Sequence, residues 1–164
     1  MRFQTKEDLA KFYENPSYKG VLKKHVMPYC HGFINFDYES EVEDDMLPIF
    51  RKEREFNYGV ELMLLVAFIR SSLGRPAEDA MTSLANLTME FPSLIVQATK
   101  GSSLNMSNME YTHGVVMSIW SSTTFSICYL KIVKMQVWKC KFQPIIQKAL
   151  SVYFSVDPIG TELM

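Results

Sequence analysis

Histidine and cysteine side chains that could bind a metal are few in this chain. Its three histidines and three cysteines include one close group, His25, Cys30 and His31. A structural zinc site needs four converging ligands, usually two pairs, and no second pair accompanies this group. We therefore interpret these residues as surface or half-buried polar side chains, and we expect no metal site.

Nucleophilic catalysis would need a reactive side chain beside a base. His113 with Cys128 or Cys140 is the one pairing of histidine and cysteine that is not local, and no motif brings the residues together. Both cysteines lie among apolar, strand-forming neighbours, where a thiolate is disfavoured. The chain has no GxSxG elbow, Walker loop or GxGxxG fingerprint. We therefore expect no enzyme and no cofactor, with a small enzyme of unrecognised site as the second alternative function.

An acidic stretch over residues 39–47 is the main change of composition along the chain. It carries five carboxylates, those of Glu39, Glu41, Glu43, Asp44 and Asp45. Acids at alternate positions can converge on calcium, but this loop lacks the glycine and the bidentate glutamate of an EF-hand. Like charges at this density resist burial. We therefore predict an exposed loop at 39–47.

Lysines concentrate in the last third of the chain, where residues 101–150 contain five lysines and a single acid. An aromatic side chain beside cations suits stacking on RNA or contact with an anionic membrane surface. The residues of this candidate contact are Lys131, Lys134, Trp138, Lys139, Lys141 and Lys148. If 131–142 is a strand, Lys131, Lys139 and Lys141 share one face, opposite Lys134 and Trp138. The other interpretation is a solvated sheet edge, since lysine blocks edge pairing.

Length and composition indicate a globular protein. The chain has 164 residues, 48% of them apolar, and a formal net charge of -1. We assign one domain to residues 1–164. Because the net charge is small, the molecule as a whole has no long-range electrostatic attraction to nucleic acid or to an anionic membrane. The odd number of cysteines and the lack of an apolar leader favour an intracellular protein, cytoplasmic or nuclear.

The elements that would position these side chains begin with short helices. Thr5 and Asp8 form a variant capping box before an apolar stripe of helical spacing, which predicts a helix over 6–14. The segment 18–30 predicts a second short helix, broken before Pro28. Alternating, β-favouring side chains predict a strand over 31–38.

A long apolar run follows in the middle of the chain. Residues 60–69 contain one polar residue, Glu61, among nine apolar ones. Asn57 is a favourable N-cap and Gly74 a stop signal, so 57–73 is predicted as a helix buried on every side. An amphipathic helix with one apolar face is predicted over 76–91. A monomer of this size has little other structure with which to bury the helix 57–73 on every side. Either the C-terminal hairpin therefore covers it, or part of it contacts another subunit.

The C-terminal half is predicted to be mainly β-structure. A short buried strand is expected over 93–99, and a hairpin with a long second strand over 115–142. Pro144 suits the first position of a last helix, which ends near Phe154. The tail 155–164 is expected to be loosely held. No transmembrane span is expected, because the uncharged stretch 111–130 carries six Ser and Thr side chains between 118 and 126.

The fold class predicted from these elements is α+β. The central buried helix and the amphipathic helix would pack on a small antiparallel sheet made from 31–38, 93–99 and the long C-terminal hairpin, with a terminal helix at its edge.

The predicted function is a noncatalytic interaction or assembly protein that works by self-association and by binding a protein partner. Small size, eleven methionines and dense aromatics fit a viral structural protein of the matrix type, which would be found in the virion. The first alternative is an RNA-binding or anionic-membrane-surface-binding protein that uses the region Lys131–Lys148.

Overall fold

The computed structural model describes residues 3–40, 51–52, 55–56, 59–92, 95–104, 110–119 and 137–156. The chain falls into two compact units, Met1–Asn35 and Phe36–Met164. The predicted single domain over 1–164 stays a prediction.

Short helical segments make up most of the first unit. They are α1, α2, a π-helical turn and a 3-10 turn, with the bounds Lys6–Glu14, Pro16–Val21, Leu22–Val26 and Met27–Tyr29. The Thr5 hydroxyl caps α1 by accepting a hydrogen bond from the backbone N–H of Asp8 at 3.1 Å. The Asn15 side chain caps α2 in the same way, from the N–H of Ser17 at 2.8 Å. The helix predicted over 6–14 is confirmed, and 18–30 is helical as far as Tyr29.

The described part of the second unit alternates strands and helices. Its elements are β1 (Arg51–Lys52), β2 (Glu55–Phe56), β3 (Gly59–Phe68), a 3-10 turn (Arg70–Ser72), α3 (Arg75–Ala85), α4 (Leu87–Glu90), β4 (Ile95–Ser102), β5 (His113–Ile119), a π-helical turn (Trp138–Phe142) and β6 (Ile146–Val156). Strands β1 and β2 pair with each other. The others form a four-stranded antiparallel sheet in the order β4, β5, β3, β6. The predicted α+β class, with helices packed on an antiparallel sheet, is confirmed.

One face of this sheet packs on α3 and α4. Both helices contribute buried apolar side chains, and Phe142 of the π-helical turn joins the same core. The buried members on the strands are Val60, Leu62, Leu64, Val66, Phe68, Ile95, Val115, Met117 and Ile119. The amphipathic helix predicted over 76–91 is therefore confirmed as α3 and α4, and the strand predicted over 93–99 is confirmed as β4.

The central helix predicted over 57–73 is wrong, because the described part of this segment is strand β3 and a 3-10 turn. Even-numbered side chains of β3 face the helices, and Leu65 and Ala67 are buried on the other face. A strand covered on both faces loses the apolar and polar alternation that identifies strands in a sequence. The predicted burial holds for most of β3, which also lies between two strands, but Glu61 and Met63 are half-buried and Ile69 and Leu73 are exposed.

The segment Phe36–Ser40 covers part of the face opposite the helices. Gly101 and Gly114 lie directly opposite each other in β4 and β5 on this face. A Cβ atom on Gly114 would lie 2.5 Å from the ring of Phe36, and one on Gly101 would lie 2.7 Å from the backbone oxygen of Glu39. The two glycines therefore allow the segment to approach the sheet closely. The hydroxyls of Tyr38 and Thr99 are 2.6 Å apart at this contact.

Three other element predictions are wrong. The terminal helix predicted over 144–154 is strand β6, because pairing with β3 overrides the helix-start signal of Pro144. The segment 31–38 makes only an isolated bridge, between Tyr38 and Ser103, instead of a strand. The first strand of the predicted 115–142 hairpin is confirmed as β5, but 137–142 is helical and 120–136 lies outside the described residues.

Two predicted surface segments lie mostly outside the described residues. Of the acidic loop 39–47, Glu39 and Ser40 are described, and Glu39 is exposed. Of the tail 155–164, Ser155 and Val156 belong to β6. Among the helices in the described part of the chain, none has the length and apolar character needed to span a membrane.

Candidate functional site

His113 is the buried ionisable side chain around which we build the first candidate site. It is the first residue of β5, on the face that packs against the helices, and 6% of its surface is exposed. Its ring meets the Phe68 ring edge to face, with centroids 5.0 Å apart. Nδ1 lies 3.0 Å from the hydroxyl of Thr112. That hydroxyl also accepts a hydrogen bond from the N–H of Phe68. The orientation of the imidazole is therefore fixed by the sheet itself.

The carboxylate of Glu78 faces the other ring nitrogen of His113. Glu78 stands in the first turn of α3, where its N–H donates to the carbonyl of Gly74 at 3.0 Å. Its Oε1 lies 3.6 Å from Nε2 of His113. Burial lowers the pKa of His113 below its ordinary value of 6.5, and the neighbouring carboxylate opposes this shift only in part. The imidazole is therefore neutral at neutral pH.

A polar cleft of about 230 Å³ opens at this pair. Its lining comprises Glu39, Glu78, Met81, Lys100, Gly101, Ser102 and His113. The Lys100 ammonium donates a hydrogen bond to the Thr82 hydroxyl at 2.6 Å. A neutral imidazole beside a carboxylate can exchange a proton with a bound molecule. The described residues contain no group of three side chains able to hold a metal ion.

The stability of the protein is expected to depend on the protonation of His113. Its pKa is lower in the folded chain than in the unfolded chain, so the unfolded chain takes up the proton first as the pH falls. The free energy of unfolding should therefore decrease as the pH falls below about 6.5, and His113→Gln should flatten this dependence. Urea denaturation at a series of pH values measures the free energy of unfolding of both proteins.

Glu78→Gln provides the control for this prediction. The carboxylate raises the pKa of His113, so its removal lowers that pKa further and should preserve or extend the pH dependence. A His113→Gln variant with the same pH dependence as the wild type would contradict the assignment.

The second candidate site is an apolar patch on the sheet face opposite the helices, which we call the open-face patch. It consists of Met63, Val116, Leu150, Val152 and Phe154. Residues opposite each other in an antiparallel ladder share a face, and the register pairs Met63 with both Val116 and Val152. Val152 is 44% exposed and Phe154 45%, and the other three side chains are half-buried.

The structure separates the lysine site predicted from the sequence into parts. Lys139 and Lys141 are exposed in the π-helical turn, so the strand-based assignment of their shared face is wrong for this part. In the same turn, Trp138 stacks on Phe142 with ring centroids 5.1 Å apart. Lys148 lies on β6, ion-paired with Glu110 and 5.1 Å from the centre of the Tyr111 ring. Lys131 and Lys134 lie outside the described residues.

The histidine and cysteine candidates are not brought together either. His25, Cys30 and His31 are exposed in the first unit. Cys140 is exposed in the π-helical turn and is not part of the cleft lining at His113, and Cys128 lies outside the described residues.

Sequence reasoning missed Glu78 as the partner of His113. The sequence predicted the helix over 76–91 that carries Glu78, and an acid in the first turn of α3 is favourable for the helix itself. Thirty-four residues separate Glu78 from His113 along the chain. Their contact depends on α3 packing across β5, and no local pattern contains that information.

Several solved structures resemble part of this chain. A dimeric ferredoxin-like protein of unknown function from Thermobifida fusca matches with 17% identity and a TM-score of 0.51, covering 61% of this chain and 92% of its own. Hydroxynitrile lyase from Passiflora edulis matches with 14% identity and a TM-score of 0.53, covering 60% of this chain and 94% of its own. No protein-family model and no curated protein matches the sequence. At such identities the likeness shows the fold alone, which is ferredoxin-like.

Proposed function

We propose that this protein is a noncatalytic assembly protein that works by self-association, with the open-face patch as the contact between two copies. The exposure of Val152 and Phe154 on a sheet face is the observation that carries the proposal. Large apolar side chains that neighbour each other on an exposed face are typical of interaction sites. The similar Thermobifida fusca protein is described as dimeric, which supports the same conclusion.

The geometry of the patch suits a symmetric pair. In a twofold dimer the same surface of each copy meets the other, so a patch on one sheet face can bury itself. A standard interface buries about 800 Å² on each partner, more than five side chains supply. The contact must therefore extend to neighbouring residues of the same face, such as the half-buried Glu61 opposite Phe154.

Replacing Val152 and Phe154 together by lysine is expected to convert the protein to a monomer. Two ammonium groups on each copy would have to lose their hydration in the contact, which costs more than the apolar contact contributes. Size-exclusion chromatography with light scattering across the micromolar range measures the change.

Tyr153→Lys is the matched control. Tyr153 is 65% exposed in the same strand, but its side chain lies on the other face. The control variant should associate like the wild type. Circular dichroism would show whether each variant is folded, and Phe154→Ser replaces the double variant if it is not. A wild-type protein that is monomeric throughout, or equal dissociation of the control, would contradict the proposal.

The finer identity of the protein remains a proposal from composition. A viral structural protein of the matrix type, intracellular or in the virion and bound to a protein partner, fits the small size and the dense aromatics. The alternative function, binding RNA or an anionic surface through Lys131–Lys148, has less support. Trp138 is engaged in stacking on Phe142 and Lys148 is paired with a carboxylate.

The second alternative, a small enzyme, is supported by the pairing of His113 and Glu78 in the lining of a cleft. One protein of similar fold, hydroxynitrile lyase from Passiflora edulis, is an enzyme by name. The described lining of the cleft has no cysteine, and no group of three described side chains could hold a metal ion. We therefore rank the enzyme below self-association.

A further inference from the structure

The first unit carries a surface that the proposed function does not use. Five large apolar side chains within residues 21–34 are exposed, those of Val21, Met27, Tyr29, Phe33 and Ile34. Their exposed fractions run from 45% for Ile34 to 83% for Tyr29. Side chains of this size gain free energy by leaving water, so a concentration of them in one short segment indicates a contact surface.

The same segment is cationic. Lys19, Lys23 and Lys24 are exposed, and no Asp or Glu occurs between Asn15 and Phe36. Counting lysines and acids alone, this stretch has a formal charge of +3, from three lysines and no acid. We call residues 19–34 the cationic apolar segment.

The segment is attached to a packed helical unit. Tyr18 packs on Phe12 with ring centroids 4.2 Å apart, and Leu22 and Val26 are half-buried. These three positions follow each other at intervals of four residues, so they define the inner side of the helical turns. The exposed lysines and the exposed side chains of Val21, Met27 and Tyr29 therefore belong to packed helical turns, and Phe33 and Ile34 follow these turns directly.

We propose that the cationic apolar segment binds an anionic lipid surface. Two interactions hold a peripheral protein on such a surface. Lysine ammonium groups are attracted to the lipid phosphates, and apolar side chains enter the boundary between headgroups and acyl chains. RNA is the less suitable occupant, because binding to single strands relies on aromatic stacking and three of the five apolar side chains are aliphatic. The proposal does not depend on self-association.

Co-sedimentation of the full chain with lipid vesicles tests this proposal. The protein is expected to bind vesicles of phosphatidylcholine and phosphatidylserine at about three to one, and to bind pure phosphatidylcholine vesicles much more weakly. Replacing Lys19, Lys23 and Lys24 by glutamine should weaken binding by about five-fold for each lysine removed. Phe33→Ser with Ile34→Ser should also weaken it, without changing the charge.

Matched controls remove equivalent groups elsewhere. Replacing the exposed Lys11, Arg70 and Arg75 by glutamine removes the same charge, and Met89→Ser removes an apolar side chain that is 82% exposed on α4. Both variants should bind like the wild type. Three results would overturn the proposal: no binding of the wild type to the anionic vesicles, an equal loss in the variant with Lys11, Arg70 and Arg75 replaced, or binding to a mixed-sequence single-stranded RNA without binding to vesicles.

Discussion

Phe142→Ala is expected to lower the free energy of unfolding by about 3 to 5 kcal/mol. No part of the Phe142 side chain is exposed. The centroid of its ring lies 6.0 Å from that of the Phe68 ring, and the ring stacks on Trp138. Removing the ring leaves a cavity between the π-helical turn and the sheet, which the packed helices can fill only in part. The midpoint of urea denaturation, with the slope of the transition, measures the loss.

Cys140→Ala is the control for this prediction. Cys140 lies in the same π-helical turn but is exposed, so its replacement should change stability by no more than about 0.5 kcal/mol. If Phe142→Ala cost no more than this control, the described packing of the turn against the core would be incorrect.

Gly101→Ala is expected to destabilise the protein by about 1 to 3 kcal/mol. The added Cβ would lie 2.5 Å from the ring of Tyr38 and 2.7 Å from the backbone oxygen of Glu39. Backbone cannot rotate away as a side chain can, so the segment Phe36–Ser40 would have to lift from the sheet. The contact between the hydroxyls of Tyr38 and Thr99 would then be lost. Thermal denaturation measures the change.

Alanine substitutions at two other glycines distinguish the steric clash at Gly101 from the general effect of adding a methyl group. Gly114→Ala should cost less, because its 2.5 Å contact is with the Phe36 ring, which can turn aside. Gly20→Ala should stabilise the protein by about 0.5 to 1 kcal/mol, because Gly20 lies in α2 with no atom within 4 Å of the added Cβ. Equal effects at all three positions would contradict the described approach of Phe36–Ser40 to the sheet.

Local signals predicted α1, α3 and α4 but neither the π-helical turn Trp138–Phe142 nor the central strand. The cap at Thr5 depends on residues within one turn, and the apolar face of α3 and α4 repeats at helical spacing, so both are visible in the sequence. Strand β3 has no visible period because two layers cover it. Because the apolar run showed no period, the residues at its ends decided the prediction. Asn57 and Gly74 are common at helix ends and therefore favoured a helix.

Strand β6 could have been recognised from its own composition. Val152, Tyr153 and Phe154 are β-favouring residues in succession, and they outweigh the helix-start signal of Pro144. Neither candidate site could be found in this way. The pairing of His113 with Glu78 and the open-face patch both arise from the strand register and from helix packing, which join residues far apart along the chain.

The position of β3 between β5 and β6 has a consequence for how the protein folds. Both partners of β3 follow it in the chain, at 113–119 and 146–156, so neither ladder can form until those residues are available. Pairings between distant segments form slowly. Until β5 and β6 have paired with it, an apolar strand with open edges can pair with another chain. The strand that is most protected in the native protein is therefore the one most prone to aggregation during folding.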